Sequence, residues 1–376
     1  MTELMAFDFQ KAPQRKGSAS LKWQRYEQQD VIPMWVADMD LSVPPVVVQA
    51  LSHQVTQGAL GYGEVSDALV QAFIDWCQVE YAWTVDPQWL VWLPGVVPGL
   101  HLAVEALVPA QVPLWVQAPV YPPILNLGQV RQRPQHTLPL DHPLDELLDA
   151  MAQAPQSALV LCHPQNPTGQ CYDPAFLRQL ASEVAAIGGL VISDEIWADL
   201  TLAPDHRHTP FASVSEAAAN CSITLMAPSK TFNIAGLSCA VAVIPNPALR
   251  QPFKQAARGL MPDMNYLGLI AAQAAWQGGR PWLKALKQHL NAQLDRLDQW
   301  VAQHPKIRYQ RPQATYVAWL DVSQLGLSDP HQAFLDAGVA LSPGGAFGDE
   351  RFVRLNVGCP AAQLQAALDR MHRVAR

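Results

Sequence analysis

Ala227-Pro228-Ser229-Lys230-Thr231-Phe232-Asn233 lies downstream of Asn166-Pro167-Thr168-Gly169 and Ser193-Asp194-Glu195-Ile196. The apolar run Ile223-Thr224-Leu225 ends just before it, so Lys230 is expected at the end of a buried strand. Asp194 follows Leu190-Val191-Ile192 in the same way, which puts its carboxylate at the carboxyl edge of an open α/β sheet, where ligands bind. Each piece alone has a plainer explanation. A lone Ser-Lys is a surface lysine, a lone aspartate a helix cap or loop ion pair, and an asparagine before proline a turn residue. In this order they bring an amine, a carboxylate and an amide together.

Further runs have the length and apolar continuity of strands covered on both faces: Val91-Trp92-Leu93, Leu114-Trp115-Val116, Leu159-Val160-Leu161 and Ala240-Val241-Ala242-Val243. Alternation of these with helix-length segments predicts an α/β fold with a mainly parallel central sheet. Pro174 to Ala186 reads as a helix capped by Asp173 with proline at its first position, and Pro262 to Gln277 as another. A longer helix spans Trp282 to Gln303, where leucines recur three and four apart. Gly278-Gly279-Arg280-Pro281 marks a boundary. Beyond it, Tyr316 to Leu320 and Arg351 to Leu355 read as strands and Ala361 to Val374 as a closing helix, a smaller α+β unit. Residues 1–45 lack a core of their own and are expected to pack on it. The expected division is a large domain, 46–280, and a discontinuous small domain, 1–45 with 281–376.

The 376 residues are 49% hydrophobic, enough for at least one large core, and carry 25 Lys plus Arg against 32 Asp plus Glu. A net charge of -7 lacks the basic field that nucleic acid or an anionic membrane requires, so small-molecule chemistry is expected, with neither nucleic acid nor membrane as partner. The six cysteines are scattered without Cys-x-x-Cys or zinc-ligand spacing, and no stretch has the pattern of a signal peptide or bilayer span. A cytoplasmic chain with reduced thiols is expected. His206-Arg207-His208, His101 and His163 read as a solvated loop pair and isolated polar positions, with no metal set.

The constellation suits pyridoxal 5'-phosphate. A lysine must be neutral to attack the aldehyde, and burial beside a cofactor biases it that way from its usual pKa of about 10.4. Asp194 can keep a pyridine nitrogen protonated, which makes the ring an electron sink. Asn166 can donate its amide to the ring oxygen. Pro94-Gly95-Val96-Val97-Pro98-Gly99 joins a strand to a helix running to about Val108, so a phosphate fits its amides, with the Ser229 hydroxyl alongside.

With Pro33-Met34-Trp35-Val36-Ala37-Asp38-Met39-Asp40, Gly61-Tyr62-Gly63, Pro119-Val120-Tyr121-Pro122-Pro123 and Arg354-Leu355-Asn356-Val357-Gly358-Cys359-Pro360 added in collinear order, the chain resembles fold-type I pyridoxal-phosphate enzymes of the class I/II aminotransferase superfamily. More narrowly it resembles the MalY/PatB-type cystathionine β-lyases. The resemblance implies a three-layer fold, with Lys230 carrying the cofactor, Asp194 on its ring nitrogen, Asn166 on its hydroxyl and Tyr121 stacked on the ring. Gly95, Val96 and Ser229 would hold the phosphate, joined by Tyr62 from the second subunit of a homodimer. Arg354 would clamp the substrate carboxylate beside Tyr121. Trp197 stands beside the cofactor where these lyases commonly have histidine, His163 replaces the first asparagine of an Asn-Pro-x-Asn-Pro pattern, and the loop Gly345 to Glu350 is short.

The expected activity is cleavage of the Cβ–S bond of L-cystathionine, L-cysteine or related conjugates to a thiol, pyruvate and ammonia, with Lys230 as the base at Cα. An aminotransferase is the first rival. Related aminotransferases often place an arginine eight residues after the lysine, where this chain has Ser238. The second rival is a regulatory binding protein, since some members of the resembled family modulate a transcription factor.

Overall fold

The computed structural model describes residues 7–204 and 206–376. Its centre is a seven-stranded sheet in the order Leu90–Leu93, Ala240–Val243, Ser222–Met226, Leu190–Asp194, Ala158–Cys162, Leu114–Ala118, Gln135–Pro139. Ala240–Val243 runs antiparallel to both its neighbours, and every other pairing is parallel. The expected runs therefore form the sheet, as a mainly parallel α/β core. Gln135–Pro139 escapes sequence reading because it is an edge strand with half-exposed side chains and no apolar run.

Period-two alternation divides the strand residues between two helical layers. Val116, Val160 and Ile192 face the helices Val96–Leu107 and Pro247–Ala257, whereas Trp115, Leu159 and Val191 face Leu144–Ala152 and Pro174–Ala186. Asp173 caps Pro174–Ala186 as expected, accepting a bond from Ala175 N at 2.7 Å, a contact that contributes about 1 kcal/mol. The helix expected from Pro262 instead begins at Tyr266, because Asn265 caps it through Gly268 N. Gly279 joins the end of Tyr266–Gly278 to the start of Arg280–Ala302, and a Cβ there would strike Ala275 O and the Phe232 ring. This close approach seats the lysine-bearing turn, since Phe232 is fully buried and meets Trp76 edge-on at 5.6 Å.

Downstream, Arg308–Tyr309, Val317–Asp321, Ser342–Pro343 and Phe352–Asn356 form an antiparallel sheet, followed by the helix Ala361–Met371. The N-terminal segment joins this unit: Ile32–Pro33 pairs parallel with Val339–Ala340, and Asn356 Nδ2 donates at 2.7 Å to both Val36 O and Asp38 O. Lys22, fully buried, pairs with Asp40 at 2.8 Å, which Arg15 also reaches at 2.7 Å. We propose the division 46–280 and 1–45 with 281–376 on the strength of these separate sheets; the first six residues of that span lie outside the described residues. Among the described residues no helix is long and apolar enough to cross a membrane.

Candidate active site

Parallel strands that stop at one edge leave a crevice there, and the residues at their ends line a cavity of about 330 Å³. Asp194 ends its strand in register with Cys162 on one side and Leu225 on the other. The cavity gathers Gly95, Val96, Tyr121, Asn166, Asp194, Trp197, Ser229, Lys230 and Arg354, all expected from the sequence to meet. A larger open cleft of about 930 Å³, lined by Thr137 to Asp141, Arg308 and Arg351, contains neither Lys230 nor Asp194. The residues singled out in the sequence lie in the smaller space.

Lys230 stands on the turn after Ser222–Met226, whose reversal is made by Asn233 at φ +59, a left-handed conformation that asparagine tolerates. The Asn233 side chain ties this turn to the N-terminal segment, accepting from Met39 N at 2.9 Å and donating to Met39 O and Leu41 O at 2.9 Å. Lys230 Nζ donates to Ala37 O at 2.7 Å and lies 5.7 Å from the centre of the Trp197 ring. Burial, with the Arg354 charge adding to it, pushes the amine down to about 8. Asp194 moves the other way: burial lifts its carboxyl to about 7 against the bond from Ile196 N at 3.2 Å. An amine made easy to neutralise thus faces an acid that gains from a cationic partner.

The helix Val96–Leu107 opens onto the same cavity with Gly95 as its N-cap, presenting free backbone amides near the Ser229 hydroxyl. Opposite, Arg354 projects from Phe352–Asn356 and is 5% exposed. Without the resemblance this arginine reads as a surface ion-pair residue. The structure buries it instead, and among the described residues it bonds only neutral oxygens: Asn166 Oδ1 at 2.9 Å, Trp35 O at 3.0 Å and Ser342 Oγ at 3.3 Å. Burial lowers it to about 10, so it stays charged at neutral pH. Its hold on the Asn166 oxygen leaves the amide NH2 to donate into the cavity.

Tyr62 is the one expected site residue that the fold does not bring in. It is 93% exposed on a segment without regular structure and lines no part of the cavity of its own chain. The histidine reading also needs correction. His208 is buried, not solvated, because it partners the buried Glu195 carboxylate at 2.7 Å, and His163 packs on it at 4.5 Å between ring centres. Burial pushes both rings down to about 3 and Glu195 up to about 7.

Several contributors had no signal in the sequence. Tyr316, fully buried, donates to Ala37 O at 3.0 Å and meets Trp197 edge-on at 4.8 Å, bracing the acceptor that Lys230 uses. Ala37 and Trp35 act through backbone carbonyls, which any residue could supply. Thr231, beside the lysine, donates to Asp199 at 2.8 Å, within a buried group that includes Trp76 and Tyr81.

A model of the aminotransferase class I and II family matches residues 29–371. Cystathionine beta-lyase PatB of Bacillus subtilis (strain 168) is 35% identical over 386 residues, covering 97% of this chain and 98% of the relative. Among solved structures, OvoB is 40% identical with a TM-score of 0.94, over 98% of this chain and 99% of that one. A putative aminotransferase from Clostridium difficile 630, solved with pyridoxal phosphate bound, also reaches 0.94 at 29% identity, over 99% of this chain and 100% of that one.

Proposed function

Because the chain belongs to the aminotransferase class I and II family, we propose that it is a pyridoxal-phosphate-dependent carbon–sulfur β-lyase. Its substrates are L-cystathionine or related cysteine conjugates, and its products a thiol, pyruvate and ammonia. The observation that carries the reading is a half-buried amine of lowered pKa and a buried acid lining one cavity, in a chain similar over nearly its whole length to a cystathionine β-lyase.

The residues fit the cofactor. Asp194 commits one oxygen to Ile196 N, which leaves the other to take a ring nitrogen. Lys230 would bond the aldehyde carbon, Tyr121 cover the ring, Asn166 donate to the ring hydroxyl and Trp197 close the wall beside Lys230. Gly95, Val96 and Ser229 would bind the phosphate. When bound, pyridoxal phosphate supplies an electron sink for charge that develops at the substrate Cα. Arg354 would take the α-carboxylate in the plane of its guanidinium, so that both oxygens are bonded at once. Once the substrate's amine has taken its place on the aldehyde carbon, Lys230 is again a free amine, and it would take the proton from Cα as the thiolate leaves Cβ.

Tyr62 completes the phosphate site of a partner copy in a homodimer; its exposure on its own chain supports this. An aminotransferase is the second reading, favoured by the likeness to the Clostridium protein. Against it, Ser238 lines the cavity at the position where related aminotransferases often carry arginine. Incubation with L-cystathionine and no 2-oxo acid should release thiol and pyruvate in equal amounts. Turnover that appears only when a 2-oxo acid acceptor is added would make the enzyme a transferase.

A further inference from the structure

The turn Gly344–Phe347 sits beside Arg354 and carries a ring that the proposed chemistry leaves unused. The Phe347 ring is buried, with the Arg354 guanidinium carbon 4.5 Å from its centre. Phe347 meets Trp319 edge-on at 5.5 Å, and Trp319 lies flat on Phe352 at 4.9 Å, so the ring is backed by an aromatic stack.

The turn itself is locked. A Cβ on Gly344 would strike Phe352 O, and Gly348, which ends the turn, has φ +103, a conformation side-chain-bearing residues rarely adopt. Phe347 O also accepts from Val120 N at 3.0 Å, which ties the turn to the segment that carries Tyr121. The ring that supports Arg354 is therefore held against the wall proposed to cover the cofactor.

Among the described residues Arg354 has no anion to fix it: its bonds go to neutral oxygens, and its buried Nε has no partner. A ring against one face of a guanidinium attracts the cation and forces other ligands into the guanidinium plane, where its N–H groups point. We propose that Phe347 is a positioning residue that holds Arg354 in the plane that reads a free carboxylate, and so sets the preference of the site for substrates with an unmodified α-carboxylate. This rests on the reading of Arg354 as the carboxylate clamp.

The test compares L-cystathionine with its α-carboxamides, using holoenzyme. Phe347→Leu, which keeps an apolar side chain but removes the π face, should raise KM for the free acid about threefold to tenfold. It should leave kcat within about twofold, the amide kinetics unchanged and the cofactor absorption normal. Phe347→Tyr should restore KM. Should Phe347→Leu fold poorly, phenylalanine analogues with increasing ring fluorination at position 347 keep the shape while weakening the negative face, and KM for the acid should rise stepwise. An unchanged KM across these variants, or equal losses on acid and amide, overturns the proposal. If Arg354→Ala collapses the acid-to-amide preference while the Phe347 variants leave it intact, only the role of Phe347 fails. If Arg354→Ala itself leaves the preference intact, the clamp reading fails first.

Discussion

The two ends of the cavity are built in different ways. Asp194 ends one strand and Lys230 stands on the turn that follows its parallel neighbour, a turn that Asn233 ties to Met39 and Leu41. Arg354, Asn166, Trp35 and Ser342 meet only because segments up to 319 residues apart close on one another. The sheet edge places the acid, while closure of a second unit brings in Arg354 and also touches the first end through Asn166 and Ala37.

The difference is open to attack by mutation. Arg354→Ala should lower kcat/KM for cystathionine at least about thirtyfold, the lower end of a range of roughly 2–5 kcal/mol for losing a buried charged contact. The visible absorption of the cofactor should stay normal. If that absorption is lost along with the rate, the two ends are not separable.

A smaller effect sharpens the cofactor end. Only the neutral amine reacts, and with Lys230 lowered to about 8 about a tenth is neutral at pH 7 and half at pH 8. Uptake of pyridoxal phosphate by cofactor-free protein, followed by absorbance, should therefore quicken at least about fivefold between these values and then level off. Asp194, ionising near 7, acts in the same direction, since its carboxylate form is the one that holds a protonated ring nitrogen. A rate that keeps climbing toward pH 10 would mean a lysine in contact with bulk water.

The smallest effect concerns a part that neither end of a single chain provides. Equal mixtures of Tyr62→Phe and Lys230→Ala chains, each nearly inactive, should regain about a quarter of wild-type activity, because half the dimers are hybrids with one intact site each. Absence of recovery in verified hybrids would remove Tyr62 from the partner's site.

Legibility in the sequence follows the same division. Strands covered on both faces announce themselves as apolar runs, and a residue just after such a run is placed at the ligand edge by topology alone, which is why Asp194 and Lys230 could be located. Gln135–Pro139 leaves no such mark because an edge strand needs no apolar run. Arg354 became meaningful only through family resemblance, since nothing in its local sequence distinguishes a buried clamp from a surface residue. Tyr316 and Phe347 act through long-range packing, and Trp35 and Ala37 through carbonyls, so no residue-type signal marks them. His208 differs from its sequence reading for a related reason: its partner Glu195 lines no part of the cavity, and only the fold shows that both are buried.

The central claim is that Lys230 is the amine that carries the cofactor at the end of a buried strand. Borohydride reduction of the purified protein, followed by peptide mass mapping, tests it directly. The account predicts one pyridoxyl-phosphate adduct, on the peptide that contains Lys230, and no adduct in Lys230→Ala. An adduct on another lysine, or an equal yield in the mutant, would contradict it.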